Sequence, residues 1–229
     1  MTAFGPAQML DEYKGIVCEA DGSQHVISVN NYRNANHPPE TGGCQAALRV
    51  SYGLKGVAPD AHKRAGGTKS YVEAFSGKGS PKTIKAILET FVAYSGAYID
   101  KFKTAAKGTV ERKVATILAD ENISWQETLQ QLCDICFGLD CNGFIGNWLS
   151  IVQPDFKLNY NSKSNDARAI AKAYRNTLAE IEYWDIMCYA ANEHIAAVDQ
   201  MGHAAGRFQV CQSAGGGPCR ASRQLGQNA

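Results

Sequence analysis

The chain has 229 residues, 45% of them apolar and 20% charged, values ordinary for a globular protein with room for one large core or for a catalytic core and an extra lobe. With 23 Lys and Arg against 22 Asp and Glu, the formal net charge is +1. No global field therefore draws in nucleic acid or a membrane surface, and both are excluded as main partners. No apolar run is long enough to span a bilayer, and the start Met1-Thr2-Ala3-Phe4-Gly5-Pro6 lacks the basic residue and apolar core of a secretory leader.

In chain order, residues 13–32 carry β-favouring pieces, Gly15-Ile16-Val17-Cys18 and His25-Val26-Ile27-Ser28-Val29, around a turn at Ala20-Asp21-Gly22-Ser23. A polar loop is expected over residues 30–43 and a helix over residues 45–54. Residues 57–79, rich in Gly, Ser and Lys, read as a loop. The loops over residues 30–43 and 66–79 are candidate linings of a substrate groove. Ser80-Pro81 then opens a long helical section punctuated by Gly96 and Gly108, with Ile84, Ile87, Leu88, Phe91 and Val92 at helical spacing.

Ser124 with Glu127 three residues on is a capping-box signature, predicting a helix to about Cys136. Further helices are expected over residues 141–152 and 166–180. Three strands, over residues 183–190, 194–201 and 207–213, close the chain, with Gly215-Gly216-Gly217 shaping the exit from the last. Helices and strands segregate rather than alternate, which makes the fold class α+β.

Eight cysteines (Cys18, Cys44, Cys133, Cys136, Cys141, Cys188, Cys211 and Cys219) are not spaced as a small disulfide scaffold and are expected mostly reduced and buried. Cys141 stands apart. It opens a predicted helix after Gly138-Leu139-Asp140, where the helix dipole and free N–H groups favour a thiolate and its own N–H is a candidate oxyanion donor. Downstream, His194 opens a predicted strand and is the matching general base. Taken singly, Cys141 reads as a buried helix-end cysteine and His194 as a strand-edge histidine; their joint context favours a nucleophile–base pair.

That context is a resemblance. Gly138-Leu139-Asp140-Cys141-Asn142-Gly143-Phe144 resembles the Asp-Cys-Ser-Gly-apolar signature of the NlpC/P60 family of papain-like cysteine peptidases. Trp184-Asp185-Ile186-Met187 followed by His194-Ile195-Ala196-Ala197-Val198 is similar to that family's Gly-Asp-apolar and His-Val-Gly-Ile-Tyr strands. The likeness spans residues 124–217. It implies a papain-like core over residues 124–229, its nucleophile helix packed on an antiparallel sheet, with residues 1–123 a mostly helical lobe integrated with it. It also implies a cysteine amidase or endopeptidase that uses no metal or organic cofactor and cuts the stem peptides of bacterial peptidoglycan through a thioacyl intermediate. A deamidase or acyltransferase acting on protein side chains with the same pair is the alternative; a binding module that kept the fold is another. A wall-cutting enzyme made in the bacterial cytoplasm without a leader fits an effector toxin exported by a dedicated secretion system, with a cognate inhibitor as partner.

The family's polar residue that orients the histidine falls on the next strand, Arg207-Phe208-Gln209-Val210-Cys211-Gln212-Ser213. Alternation puts Gln209 and Cys211 on one face and Val210 and Gln212 on the other. Alignment with the family's apolar-apolar-His-small run favours Gln212, against the reading of a solvent-facing edge glutamine. The family's upstream Tyr–Gly-Gly segment is missing and Asn142 replaces its Ser, so the oxyanion side chain is open, with Trp125 and Gln126 as candidates.

Rival sites are weaker. Cys44 opens a helical pattern, with His62 or His37 as partner. Cys133 and Cys136 form a Cys-x-x-Cys pair on a helical pattern, without the further ligands of a zinc knuckle. Cys211 and Cys219 flank Gly215-Gly216-Gly217-Pro218 and would bridge only in an oxidising space. Asp185 reads as a turn and strand-start device, and Asp199 as a strand-end acid.

Overall fold

The computed structural model describes residues 4–33, 43–153, 155–156, 175, 177, 180–189, 194–201, 207–214 and 217–224. The helix expected over residues 166–180 lies, but for isolated positions, outside these. The described residues form an α+β structure in which helices come first and an antiparallel sheet follows.

A helix that sequence patterning did not anticipate, α1 (Pro6–Lys14), opens on a proline in its first turn and buries Met9, Leu10 and Tyr13. The hairpin of β1 (Ile16–Ala20) and β2 (Ser23–Ile27) turns through Asp21 and Gly22, both at positive φ (50° and 69°), the backbone that a tight two-residue hairpin requires. Next comes α2 (Gly43–Val57), longer than expected at both ends. The loop predicted over residues 57–79 is instead two helices, α3 (Pro59–Arg64) and α4 (Gly67–Phe75). Its Gly content set the loop reading, but Gly66 only separates the helices, at φ 90°, while Tyr71, Ala74 and Phe75 bury one face of α4 at helical spacing. The long helical section resolves into α5 (Pro81–Ala93), α6 (Ser95–Phe102) and α7 (Val110–Leu118).

Two helices then meet at a bend of 109°, α8 (Trp125–Cys136) and α9 (Cys141–Val152). Ser124 caps α8 as expected, its hydroxyl accepting the Glu127 N–H at 3.3 Å. Arg33 holds the other end: its Nε donates to the Phe137 carbonyl at 3.0 Å, and its Nη2 to those of Asp134 and Ile135 at 2.8 and 2.9 Å. These are carbonyls that a helix C-terminus leaves without intrahelical partners. Asn31 adds its Nδ2 to Asp134 O at 2.8 Å and receives the Leu139 N–H on its own carbonyl at 2.9 Å.

The sheet runs β3 (Ile186–Tyr189), β4 (His194–Met201), β5 (Arg207–Ala214) and β6 (Gly217–Gln224), each antiparallel to its neighbour. The sheet has one strand more than sequence patterning predicts. The fourth is an edge strand carrying Pro218, which the interior of a sheet rarely tolerates but an edge accepts. Gly217 thus opens a strand rather than closing one, at φ 84°, with the Asn30 backbone so close that a Cβ would meet it at 2.7 Å.

One face of the sheet, with Ile195, Ala197 and Cys211, joins the main core under α9 and α1. The other, with Ala196, Val198, Phe208 and Val210, forms a separate small cluster. No single helix among the described residues is long and apolar enough to cross a membrane.

Arg33→Met keeps the aliphatic stem but removes the donors from the α8 terminus. It is expected to lower the unfolding free energy by about 2–3 kcal/mol, the range for losing charge-assisted hydrogen bonds. The check is the urea midpoint at unchanged slope.

Candidate active site

Cys141 is the first residue of α9, and its turn is built by Asp140. Asp140 takes an extended backbone (φ −92°, ψ 171°), and its Oδ1 accepts the Gly143 N–H at 2.5 Å, satisfying a donor that the helix start would otherwise leave bare. Its other carboxylate oxygen, Oδ2, pairs with the ammonium of Lys78, and both residues are buried.

Lys78 sits between Gly77 and Gly79 in the connector from α4 to α5, and every carbonyl of that tripeptide is used. Gly77 O accepts the Asp140 N–H at 3.0 Å. Lys78 O accepts the Asn147 Nδ2 at 3.0 Å, and Gly79 O the buried Tyr13 hydroxyl at 2.9 Å. The approach is so close that a Cβ on Gly143 would stand 1.8 Å from Gly77 O. Only glycine fits there. On the sheet side, the Ser213 hydroxyl donates to Leu139 O at 2.5 Å, tying β5 to the lead-in of α9.

The sulfur is 4% exposed as a residue and lies against the head of β4, where it accepts the backbone N–H of Ile195 as well as that of Asn142. Ile195 directly follows His194. The imidazole in turn lies on the next strand's side chain, with His194 Nε2 3.1 Å from Gln212 Oε1. An amide oxygen only accepts, so Nε2 is the donor in this contact, and in the neutral imidazole the lone pair then falls on Nδ1. Gln212 is buried, not a solvent-facing edge glutamine, and its Nε2 reaches Cys219 Sγ at 3.9 Å. His194 and Gln212 therefore meet across β4 and β5, and Cys141 approaches β4 at Ile195, the residue after His194.

The electrostatics differ from the sequence expectation of a thiol lowered by its helix start. Burial pushes the Cys141 thiol above its ordinary value. The Ile195 N–H opposes this, the Asp140 carboxylate adds to it, and the Asn142 N–H and Lys78 ammonium again oppose it. Desolvation is the largest of these effects, and the net shift is upward.

The two oxyanion candidates on α8 are not brought to this turn. Gln126 Nε2 donates to Val26 O of β2 at 2.8 Å, on the exposed surface, and Trp125 packs against the core. About 16 Å of helix separates them from Cys136. The rival pair is not assembled either. His62 Nε2 lies 2.7 Å from Ser51 Oγ, two turns along α2 from Cys44, and stacks on Tyr71; His37 lies outside the described residues.

Cys133 and Cys136 are buried in α8, the latter pushed up to about 12 by burial, and among the described residues no group of three His, Cys, Asp or Glu could hold a metal ion. Asp185 accepts the Glu182 N–H at 2.8 Å within its turn. Asp199 is buried at a bulge of β4, accepting the Ala7 N–H of α1 at 3.2 Å and facing Arg220 at 3.7 Å. Of the two loops offered as groove linings, the described residues Asn31, Arg33 and Gly77 to Gly79 clamp the end of α8 and the first turn of α9 instead. Lys78, Tyr13 and Asn147 were missed in sequence; Gly77-Lys78-Gly79 between two helical patterns was the available signal.

Comparison with protein-family models, curated proteins and solved structures returns no match for this chain.

Gly143→Ala forces the Gly77 carbonyl to move and is expected to destabilise the protein by about 1–3 kcal/mol, as overpacking does. Gly96→Ala, whose Cβ would meet nothing within 4 Å, is expected to be neutral or slightly stabilising. Thermal unfolding of the two variants beside the parent checks the contrast.

Proposed function

We propose that this chain is a cysteine amidase or endopeptidase with a papain-like core, resembling NlpC/P60 enzymes, and that its substrate is the stem peptide of bacterial peptidoglycan. The observation that carries the reading is the His194 Nε2–Gln212 Oε1 contact of 3.1 Å, beside a helix-start thiol that lies on the next residue's amide. The substrate class rests on the motif resemblance around Cys141 and His194.

In this reading His194 Nδ1 accepts the Cys141 proton as the sulfur attacks the scissile carbonyl carbon. The carbonyl electrons move to oxygen, stabilised by the Cys141 N–H. As the tetrahedral adduct collapses, the C–N bond breaks, the imidazolium protonates the departing amine, and a thioester remains. Water, deprotonated by His194, then attacks the thioester; the carboxylic acid leaves and the proton returns to sulfur. Gln212 keeps the proton-bearing nitrogen on its own side throughout, which fixes the tautomer that each step needs.

Digestion of purified cell wall tests the reading. Wild type is expected to release soluble stem peptides, and Cys141→Ala none. His194→Ala should lose at least about a hundredfold, the lower end of the contribution of a general base. Gln212→Ala should lose about tenfold in kcat, the kinetic equivalent of one neutral hydrogen bond. Equal release by wild type and Cys141→Ala contradicts the assignment. Ammonia release from protein glutamine or asparagine, with an inert cell wall, would point to side-chain deamidation by the same pair.

A further inference from the structure

A lysine ammonium is an unusual neighbour for the N-terminus of a helix, which already carries a partial positive charge. Lys78 is nevertheless almost wholly buried there, with its ammonium on the Asp140 carboxylate that caps α9. Stability does not explain the choice. Removing two charges from water costs several kcal/mol per ion, and a buried ion pair is often no more stable than apolar groups of the same volume. Nor is the charge needed to hold the connector. The backbone carbonyls of Gly77, Lys78 and Gly79 already bind Asp140 N, Asn147 Nδ2 and Tyr13 Oη, and none of these contacts uses the Lys78 side chain.

What the charge does is electrostatic. Asp140 is the residue before Cys141, so the carboxylate that shapes the nucleophile's turn also repels negative charge on its sulfur. In a buried site that repulsion is poorly screened. Lys78 acts on the same sulfur with the opposite sign. Besides this pair, the titratable groups among the described residues of the elements packed against α9 include His194 at the head of β4, the buried Asp199 farther along it, Cys211 on β5, which burial pushes up to about 12, and the buried Tyr13 of α1 behind Asp140.

We propose that Lys78 is a positioning residue of the Cys141 site: its ammonium cancels the charge of the Asp140 cap, so the helix start is held by a carboxylate without opposing an anionic sulfur. The proposal deepens the hydrolase reading and rests on it only in treating that anion as part of a reaction. It also explains why the nucleophile motif, near the middle of the chain, is completed by a residue from the α4–α5 connector.

The test needs no substrate. The rate of Cys141 alkylation by iodoacetamide is measured against pH, by mass spectrometry of the Cys141 peptide, for wild type, Lys78→Met and the double variant Lys78→Met/Asp140→Asn. Asparagine retains the capping oxygen without the charge. Lys78→Met is expected to move the midpoint up by about one pH unit, making alkylation at neutral pH about tenfold slower, the low end of the effect of a nearby opposite charge. The double variant is expected to return to within about half a unit of wild type, because the two charges offset each other.

An unmoved midpoint in folded Lys78→Met overturns the proposal. So does a double variant shifted as far as the single one, which would make Lys78 a packing residue. If Lys78→Met does not fold, the double variant decides alone. A wild-type midpoint supports charge cancellation, while a raised midpoint or failure to fold contradicts it. Should wild type prove inert on cell wall while the alkylation pattern holds, the hydrolase reading falls and the role of Lys78 at the thiol stands.

Discussion

The first turn of α9 is held in place by groups that come from distant parts of the chain. Asp140 spans two of them, capping the helix with one carboxylate oxygen and meeting Lys78 with the other. Gly77 touches the same turn through its carbonyl, Asn31 reaches it through Leu139 N, and Ser213 arrives from the sheet. A helix start seldom needs so many partners. Here they fix the backbone from which Cys141 projects, and in the proposed reaction that matters because a displacement of about 1 Å at a reacting centre costs about a hundredfold in rate. The glycines at positions 77 and 143 are the steric condition for that clamp, because a Cβ on Gly143 would collide with the Gly77 carbonyl and one on Gly77 with the Arg33 carbonyl.

The sheet contributes the complementary half. β4 and β5 lie side by side, so a histidine at the head of one and a glutamine near the end of the other meet without help from any loop. The face of β4 that carries Ile195 and Ala197 packs under α9, which brings the sulfur to the Ile195 amide and so to the neighbour of His194. Burial has a cost. The thiol is pushed up rather than down, against the opposing effect of the Ile195 and Asn142 N–H groups and of the Lys78 ammonium. In the proposed reaction, proton transfer to His194 then accompanies attack rather than preceding it.

Much of this was legible in sequence where local rules act alone. The Ser124 cap, the α9 boundaries from Cys141 to Val152 and the register placing Gln212 opposite the Cys211 face follow from capping chemistry and from periods of 3.6 and 2. The elements that escaped are those where composition pointed elsewhere. α4 hides behind Gly66 and Gly67 although Tyr71, Ala74 and Phe75 have helical spacing, and β6 hides behind Pro218 and a polar run that suits an edge strand. Lys78, Asn31 and Arg33 escaped for another reason. Their roles depend on contacts across 62 to 108 positions, such as Lys78 to Asp140 and Asn31 to Leu139, and no periodicity encodes those. The direction of the Cys141 shift escaped likewise, because a helix start predicts a lowered thiol while only the packing reveals how completely it is desolvated.

The most direct measurement is acid-quenched intact-mass spectrometry of the protein mixed with purified stem-peptide substrate in the pre-steady state. A covalent acyl adduct mapped to Cys141, absent in Cys141→Ala, is the predicted result. Turnover with no adduct on Cys141, or with the adduct on Cys44, would contradict a site in which α9 presents the nucleophile and β4 the base.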